Sequence, residues 1–133
     1  LFYFAYGSNL DRGAMQACCP GSKAVFAATL PNYQLFFTGW SRQWLGGTAS
    51  IKRAGREKVL GGVYQLAPED VAKLDRQQGY PAASDKIKVL VFKDTGTGVE
   101  AITYVARNQA KDSKPLPQYL KALQKGYIEW GLI

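Results

Sequence analysis

The chain opens without a polar position to break its first strand. Phe2, Phe4 and Tyr6 fall on one face of an extended segment, Tyr3 and Ala5 on the other. A segment apolar on both faces reads as a central strand covered on both sides. It breaks at Gly7-Ser8-Asn9, and Asn9 is expected to cap a short helix from Leu10 to about Cys18, closed by Pro20-Gly21. Residues 25–30 and 33–38 read as strands joined at Pro31-Asn32. Residues 48–53 and 59–66 read as strands around a turn at Ala54-Gly55. A helix starts at Pro68, with Glu69 and Asp70 at the positive end of its dipole. Val71, Leu74 and Gln78 share one of its faces, and Gly79 and Pro81 end it. Two more strands, 87–92 and 99–105, flank the turn Asp94-Thr95-Gly96-Thr97-Gly98. The last helix opens near Pro117, and Leu116, Leu120, Leu123, Tyr127 and Trp130 give it an apolar stripe.

There is no internal repeat and no linker, so residues 1–133 are expected to form one α+β domain. Roughly seven strands and few helices predict a strongly curved or barrel-like sheet with helices packed outside it.

Composition narrows the chemistry. With 133 residues, 47% apolar and 20% charged, the chain is globular. It has no histidine. That excludes a Ser-His-Asp triad, a Cys-His pair and any His-based metal site. Proton transfer falls to a carboxylate, Lys, Tyr, Cys or the substrate itself. The net charge is +7, from 17 basic and 10 acidic residues, yet no run of five like charges exists. A solvated basic surface is expected, not a nucleic-acid partner. The sharper alternative is a basic cleft that draws in small acidic substrates. No apolar run approaches the roughly 20 residues of a membrane helix, so no membrane partner is expected.

Cys18 and Cys19 are adjacent. Neighbours seldom reach disulfide geometry, and two cysteines without histidine make no closed zinc site. Two reduced thiols are expected, and with them a cytoplasmic location. No metal and no cofactor are expected. The chain opens on Leu1 without Met, so residues are expected to precede it. Oligomeric state leaves no mark in the pattern.

Two places stand out for chemistry. At Tyr6-Gly7-Ser8-Asn9-Leu10, glycine permits a sharp turn and a close approach of ligand to backbone. Amides at the following helix start favour a carboxylate or a phosphate. On spacing alone the segment also reads as an ordinary Asn-capped turn. The second place is Gln78, a long amide that extends an apolar face. It points either along a cleft wall or out from a frayed helix end. A glutamate there would gain a raised pKa by burial and serve as a general base, which a glutamine cannot do.

Phe4-Ala5-Tyr6-Gly7-Ser8-Asn9-Leu10 resembles the signature of the γ-glutamylcyclotransferase family. Leu74-Asp75-Arg76-Gln77-Gln78-Gly79 resembles its second motif, Leu-Asp-x-Gln-Glu-Gly. Gly47-Thr48-Ala49-Ser50-Ile51, ahead of Gly62-Val63-Tyr64, is similar to the family's middle section. Pro115-Leu116-Pro117-Gln118-Tyr119, with Gly126 and Trp130, resembles its C-terminal Pro-Ser-Pro-x-Tyr helix.

The resemblance implies a small mixed barrel with a cavity at one mouth, and a small γ-glutamyl substrate. It implies attack of the substrate's α-amine on its own γ-carbonyl, releasing 5-oxoproline and an amine. Tyr6, Gly7, Ser8, Asn9, Leu10 and Tyr119 are the implied substrate contacts. Gln78 stands where the family has its catalytic glutamate, so the chain is expected to be impaired at that step. The alternative is a homologue that binds a γ-glutamyl or carboxylate ligand without turning it over. A tyrosine often found a few residues after the glutamate is also missing, with Ser84 and Asp85 in its place. Asp85 is a weaker candidate for a displaced base. Trp40, Trp44, Arg12 and Arg42 are weaker candidates for the pocket wall or a carboxylate contact.

Overall fold

A computed structural model of the protein describes residues 1–107 and 111–133. Strand β1 (Phe2–Ala5) leads through a 3₁₀ turn at Ser8–Leu10 to helix α1 (Arg12–Cys18). Two long strands follow, β2 (Lys23–Ser41) and β3 (Gly46–Gln65). A second 3₁₀ turn at Pro68–Asp70 opens helix α2 (Val71–Gln77). The hairpin of β4 (Ser84–Phe92) and β5 (Gly98–Ala106) precedes helix α3 (Pro117–Glu129).

The strands close into a barrel in the order β1-β3-β2-β4-β5. All pairs are antiparallel except β1 with β5, where Tyr3 lies opposite Ile102 and completes the ring. The sheet is therefore mixed. Five strands replace the expected seven, because the breaks at Pro31-Asn32 and Ala54-Gly55 do not end strands. They form one irregularity where the partner of β2 jumps from Lys58 to Arg53, with Asn32 and Arg56 at positive φ. The bulge bends the long hairpin without interrupting it, as such insertions do where a sheet must curl.

Both faces of β1 are buried, as its sequence requires. Phe4 and Tyr6 join Leu30, Ile51, Val63 and Val91 in the barrel interior. Tyr3 and Ala5 join Leu10, Met15, Leu74 and Trp130 in a second core between barrel and helices. Gly62 makes that second core possible. A Cβ there would meet the Trp130 ring at 2.6 Å, so only glycine lets the indole lie flat on β3.

Two helix expectations need correction. Asn9 does not cap α1. Asp11 does, its Oδ1 accepting from Gly13 N at 3.0 Å, and the helix begins at Arg12. Asn9 and Leu10 instead belong to the 3₁₀ turn and are buried, so the carboxylate nearest the free amides takes the cap. In α3 the buried stripe is Tyr119, Leu123, Gly126 and Trp130, while Leu120 is 43% exposed. Close packing selects that face: a Cβ at Gly126 would lie 2.6 Å from Leu10 Cβ. The end of α2 falls where the sequence puts it, with Gly79 at φ +71. No helix of the described residues is long and apolar enough to cross a membrane.

Candidate functional site

The ends of β1, β2 and β5 and the starts of β3 and β4 gather at one mouth of the barrel. There they surround a cavity of about 220 Å³. Six of the seven residues singled out in the sequence meet in its wall: Tyr6, Gly7, Ser8, Asn9, Gln78 and Tyr119.

The seventh, Leu10, does not. Its side chain is fully buried, its amide donates to Gly7 O at 3.0 Å, and its carbonyl accepts from Trp130 Nε1 at 2.8 Å. Leu10 is the anchor of the turn, because an apolar side chain beside Gly126 gains more from the core than from the cavity.

The turn itself is built to present backbone. Its internal bonds use the Leu10 and Asp11 amides. Those of Ser8 and Asn9 have no partner among the described residues. Asn9 is 2% exposed and occupied on every side. Its Nδ2 donates to Gln77 Oε1 at 2.8 Å and to Tyr3 Oη at 3.1 Å. Its Oδ1 accepts from Gln77 Nε2 at 3.0 Å, and its carbonyl accepts from Tyr64 Oη at 2.7 Å. Gly7 is not at positive φ, so a left-handed turn is not its reason for being glycine. A Cβ there would sit 3.6 Å from Tyr119 Oη, in the throat of the cavity.

Gln78 closes α2 and turns towards the cavity, with its Nε2 donating to Gln77 Oε1 at 3.0 Å. Tyr119 Oη accepts from Ala49 N at 2.8 Å, and Trp44 packs edge-on against the Tyr119 ring, centroids 5.2 Å apart. Burial pushes the Tyr119 phenol up to about 12, tempered by the Ala49 amide. Burial likewise raises Tyr6, whose hydroxyl donates to the Tyr104 carbonyl.

Several wall residues were not singled out as site residues. Tyr104, Thr103 and Ser84 come from the β4–β5 hairpin, Tyr3 from β1, and Gln77 from α2. Of these only Gln77 carried a signal, as the neighbour of Gln78 within one motif. Trp44 also lines the cavity, whereas Trp40 is 66% exposed. Arg12 stacks over the Trp130 ring at 4.6 Å, and Arg42 is exposed; neither is in the wall. Asp85 pairs with Arg107 at 2.8 Å, both about half exposed and both outside the wall.

No Asp, Glu, Lys or Arg lines the cavity among the described residues. The basic cleft is thus not found: the +7 charge lies elsewhere on the surface. Tyr104 ties the wall to an ionised group, its hydroxyl donating to Asp75 Oδ1. Lys86 Nζ holds both oxygens of Asp75 at 2.8 and 3.0 Å. Burial alone would raise Asp75, but these bonds and the Lys86 charge together outweigh it and hold the carboxyl below its usual range. Tyr104 is pushed up, first by burial and then by Asp75. Cys18 and Cys19 are free thiols away from the cavity. No group of three or more His, Cys, Asp or Glu among the described residues is placed to hold a metal.

Comparison with known proteins agrees with this architecture. The family model described as gamma-glutamyl cyclotransferase, AIG2-like, matches residues 3–122. Gamma-glutamylcyclotransferases of Mus musculus and Homo sapiens are each 30% identical over 135 residues, spanning 98% of this chain and 71% of theirs. A solved structure of a gamma-glutamyl cyclotransferase superposes with a TM-score of 0.95 at 31% identity, covering 99% of this chain and 80% of that one. The closed mixed barrel with its peripheral helices is therefore a γ-glutamyl cyclotransferase-type fold. The chain belongs to the gamma-glutamyl cyclotransferase, AIG2-like family.

Proposed function

We propose that the cavity takes a small γ-glutamyl compound and favours its cyclisation to 5-oxoproline, with release of an amine. The observation that carries this reading is the meeting of the Ser8 and Asn9 amides with residue 78 across one uncharged cavity. In the reaction the substrate's α-nitrogen bonds to its γ-carbon, and the γ-amide C–N bond breaks. The α-ammonium sheds its proton for the attack, and the leaving nitrogen gains one. The nucleophile belongs to the substrate, so the protein's share is to hold the folded conformer, which removes much of the entropic barrier. The turn amides suit the substrate's carboxylate or the oxyanion that develops on the γ-carbonyl.

Gln78 sets the limit. Its amide orients an amine and cannot take its proton, and loss of a general base costs roughly 10²–10⁴-fold in rate. The same observation supports a second reading, a homologue that binds the γ-glutamyl group without turning it over. Release of 5-oxoproline, measured side by side for the chain and its Gln78→Glu variant, separates the two. The first reading expects release by the variant to exceed that of the chain roughly 10²–10⁴-fold. Saturable ligand binding with no product from either form favours the second. Neither product nor binding across a γ-glutamyl panel overturns both.

A further inference from the structure

Adjacent residues of a helix point about 100° apart and do not face each other. Cys18 and Cys19 do, with their sulfurs 3.3 Å apart. The cause is the end of α1. Cys18 is its last residue, and Cys19 leaves the helix at φ −132 and ψ 80, which brings its side chain round to its neighbour. The backbone is held there from both sides. Cys19 N donates to Met15 O at 2.8 Å, and the Cys19 carbonyl accepts from Ser22 N at 3.0 Å and Ser22 Oγ at 2.8 Å. Both thiols face the start of α2. Cys18 Sγ lies 3.9 Å from the Lys73 carbonyl and Cys19 Sγ 3.7 Å from that of Asp70. Cys18 is half-buried and Cys19 fully buried.

This geometry selects what can bridge the pair. Their Cα atoms, one trans peptide apart, are separated by about 3.8 Å. Ordinary disulfides need roughly 4.4–6.8 Å. A structural zinc ion takes four ligands, and tetrahedral bonds of about 2.3 Å spread two sulfurs to about 3.8 Å. Further ligands are not in place either. The Asp70 carboxylate is taken by Gly21 N at 2.7 Å and by Lys73 at 3.7 Å. No group of three or more His, Cys, Asp or Glu among the described residues is placed to hold a metal. What fits is a soft centre that needs only two thiols, brings its own third substituent and holds its bonds near right angles. Trivalent arsenic with one organic substituent is such a centre.

We propose that Cys18 and Cys19 form a chelating site for a monosubstituted trivalent arsenical, separate from the cavity. The arsenical enters as an oxide. Two arsenic–sulfur bonds form, while both S–H bonds and the arsenic–oxygen bonding break. The two protons leave with the oxygen as water. Arsenic stays trivalent, so nothing is oxidised or reduced. The half-buried Cys18 captures the arsenical, and Cys19, 3.3 Å away, closes the ring. Burial pushes the Cys19 thiol up to about 12, so it keeps its proton and resists alkylating agents, which need a thiolate. Condensation with the oxide consumes that proton and is not blocked by it.

The test uses phenylarsine oxide and the intact mass of the chain. In excess mercaptoethanol, a monothiol, the chain is expected to keep one phenylarsenic group. Dimercaptopropanol, a dithiol, is expected to strip it. Iodoacetamide should label Cys18 of the untreated chain and neither cysteine of the loaded one. Cys18→Ser and Cys19→Ser each leave one thiol, and each is expected to hold the group roughly 10²–10⁴-fold more weakly, the gain from a second linked contact. Cys18→Ser changes only a half-buried side chain, so the comparison stands even where Cys19→Ser does not fold. Retention by Cys18→Ser equal to that of the unaltered chain overturns the proposal. So does loss of the group from the unaltered chain to the monothiol, or a mass of two chains bridged by one arsenic.

Discussion

Asn9 and Gln77 exchange two side-chain hydrogen bonds, Asn9 Nδ2 to Gln77 Oε1 at 2.8 Å and Gln77 Nε2 to Asn9 Oδ1 at 3.0 Å. The pair ties the turn after β1 to the end of α2, and the same Gln77 oxygen receives Gln78 Nε2. Replacing Gln77 by leucine strips a buried amide of two partners and frees the side chain at 78. Gln77→Leu is therefore expected to lower stability by about 1–3 kcal/mol, the penalty for an unsatisfied buried polar group. Urea denaturation at neutral pH measures this. An unchanged midpoint would show that the pair is dispensable.

Gly7 leaves the throat of the cavity open. A Cβ there makes ordinary contact with Ala49 and Tyr119 Oη, both at 3.6 Å, so Gly7→Ala should fold and bind with little loss. Branched atoms beyond the Cβ enter the space a ligand needs. Gly7→Val is expected to weaken γ-glutamylmethylamide binding at least tenfold, about 1.4 kcal/mol, with only a small change in unfolding midpoint. Equal affinities for the two variants would place the ligand away from this turn.

Gly126 acts on the same turn from behind. An alanine Cβ would press on Leu10 Cβ at 2.6 Å and on Asp11 N at 2.9 Å. Backbone cannot yield as a flexible side chain does, so Gly126→Ala is expected to cost about 1–3 kcal/mol by overpacking. Ligand affinity should fall with it, because Leu10 anchors the Ser8 and Asn9 amides. A variant with wild-type stability and affinity would contradict this packing.

Asp75 makes stability depend on acid. Its folded carboxyl lies below the ordinary value of 3.8. The unfolded chain therefore takes the proton first as pH falls. The contribution of Asp75 is complete above about pH 5 and is lost as pH drops through 3.8 towards the folded value. Asp75→Asn should flatten that part of the curve when denaturation midpoints of both proteins are plotted against pH. Parallel curves would mean that the bonds from Lys86 and Tyr104 carry no linked stabilisation.

Much of the frame was legible along the chain because its causes are local. The two apolar faces of β1 required a strand buried on both sides, and Phe4 and Tyr3 fall into separate cores. Gly79 stops α2 by a conformation that glycine adopts freely. The misreadings came where neighbours distant in sequence decided. The cap moved to Asp11 because Asn9 was drawn inward by Tyr3, Tyr64 and Gln77. The buried face of α3 shifted onto Tyr119, because Gly126 is where the helix can approach Leu10 most closely.

The site divides the same way. Tyr6, Gly7, Ser8, Asn9 and Gln78 were marked by their own short motifs, and the structure gathers them in one cavity wall. The amino-acid sequence also settled what is missing: no histidine in the chain, and no carboxylate at position 78. The sequence could not show that the wall is uncharged, that Leu10 turns into the core, or that Tyr104 of β5 gives its proton to Asp75 of α2. Those facts arise from barrel closure, which sets β5 beside β1 and α2 beside the turn. A hydrogen bond between residues tens of positions apart leaves no periodicity for a local pattern to reveal; only the closed fold decides which donor meets which acceptor.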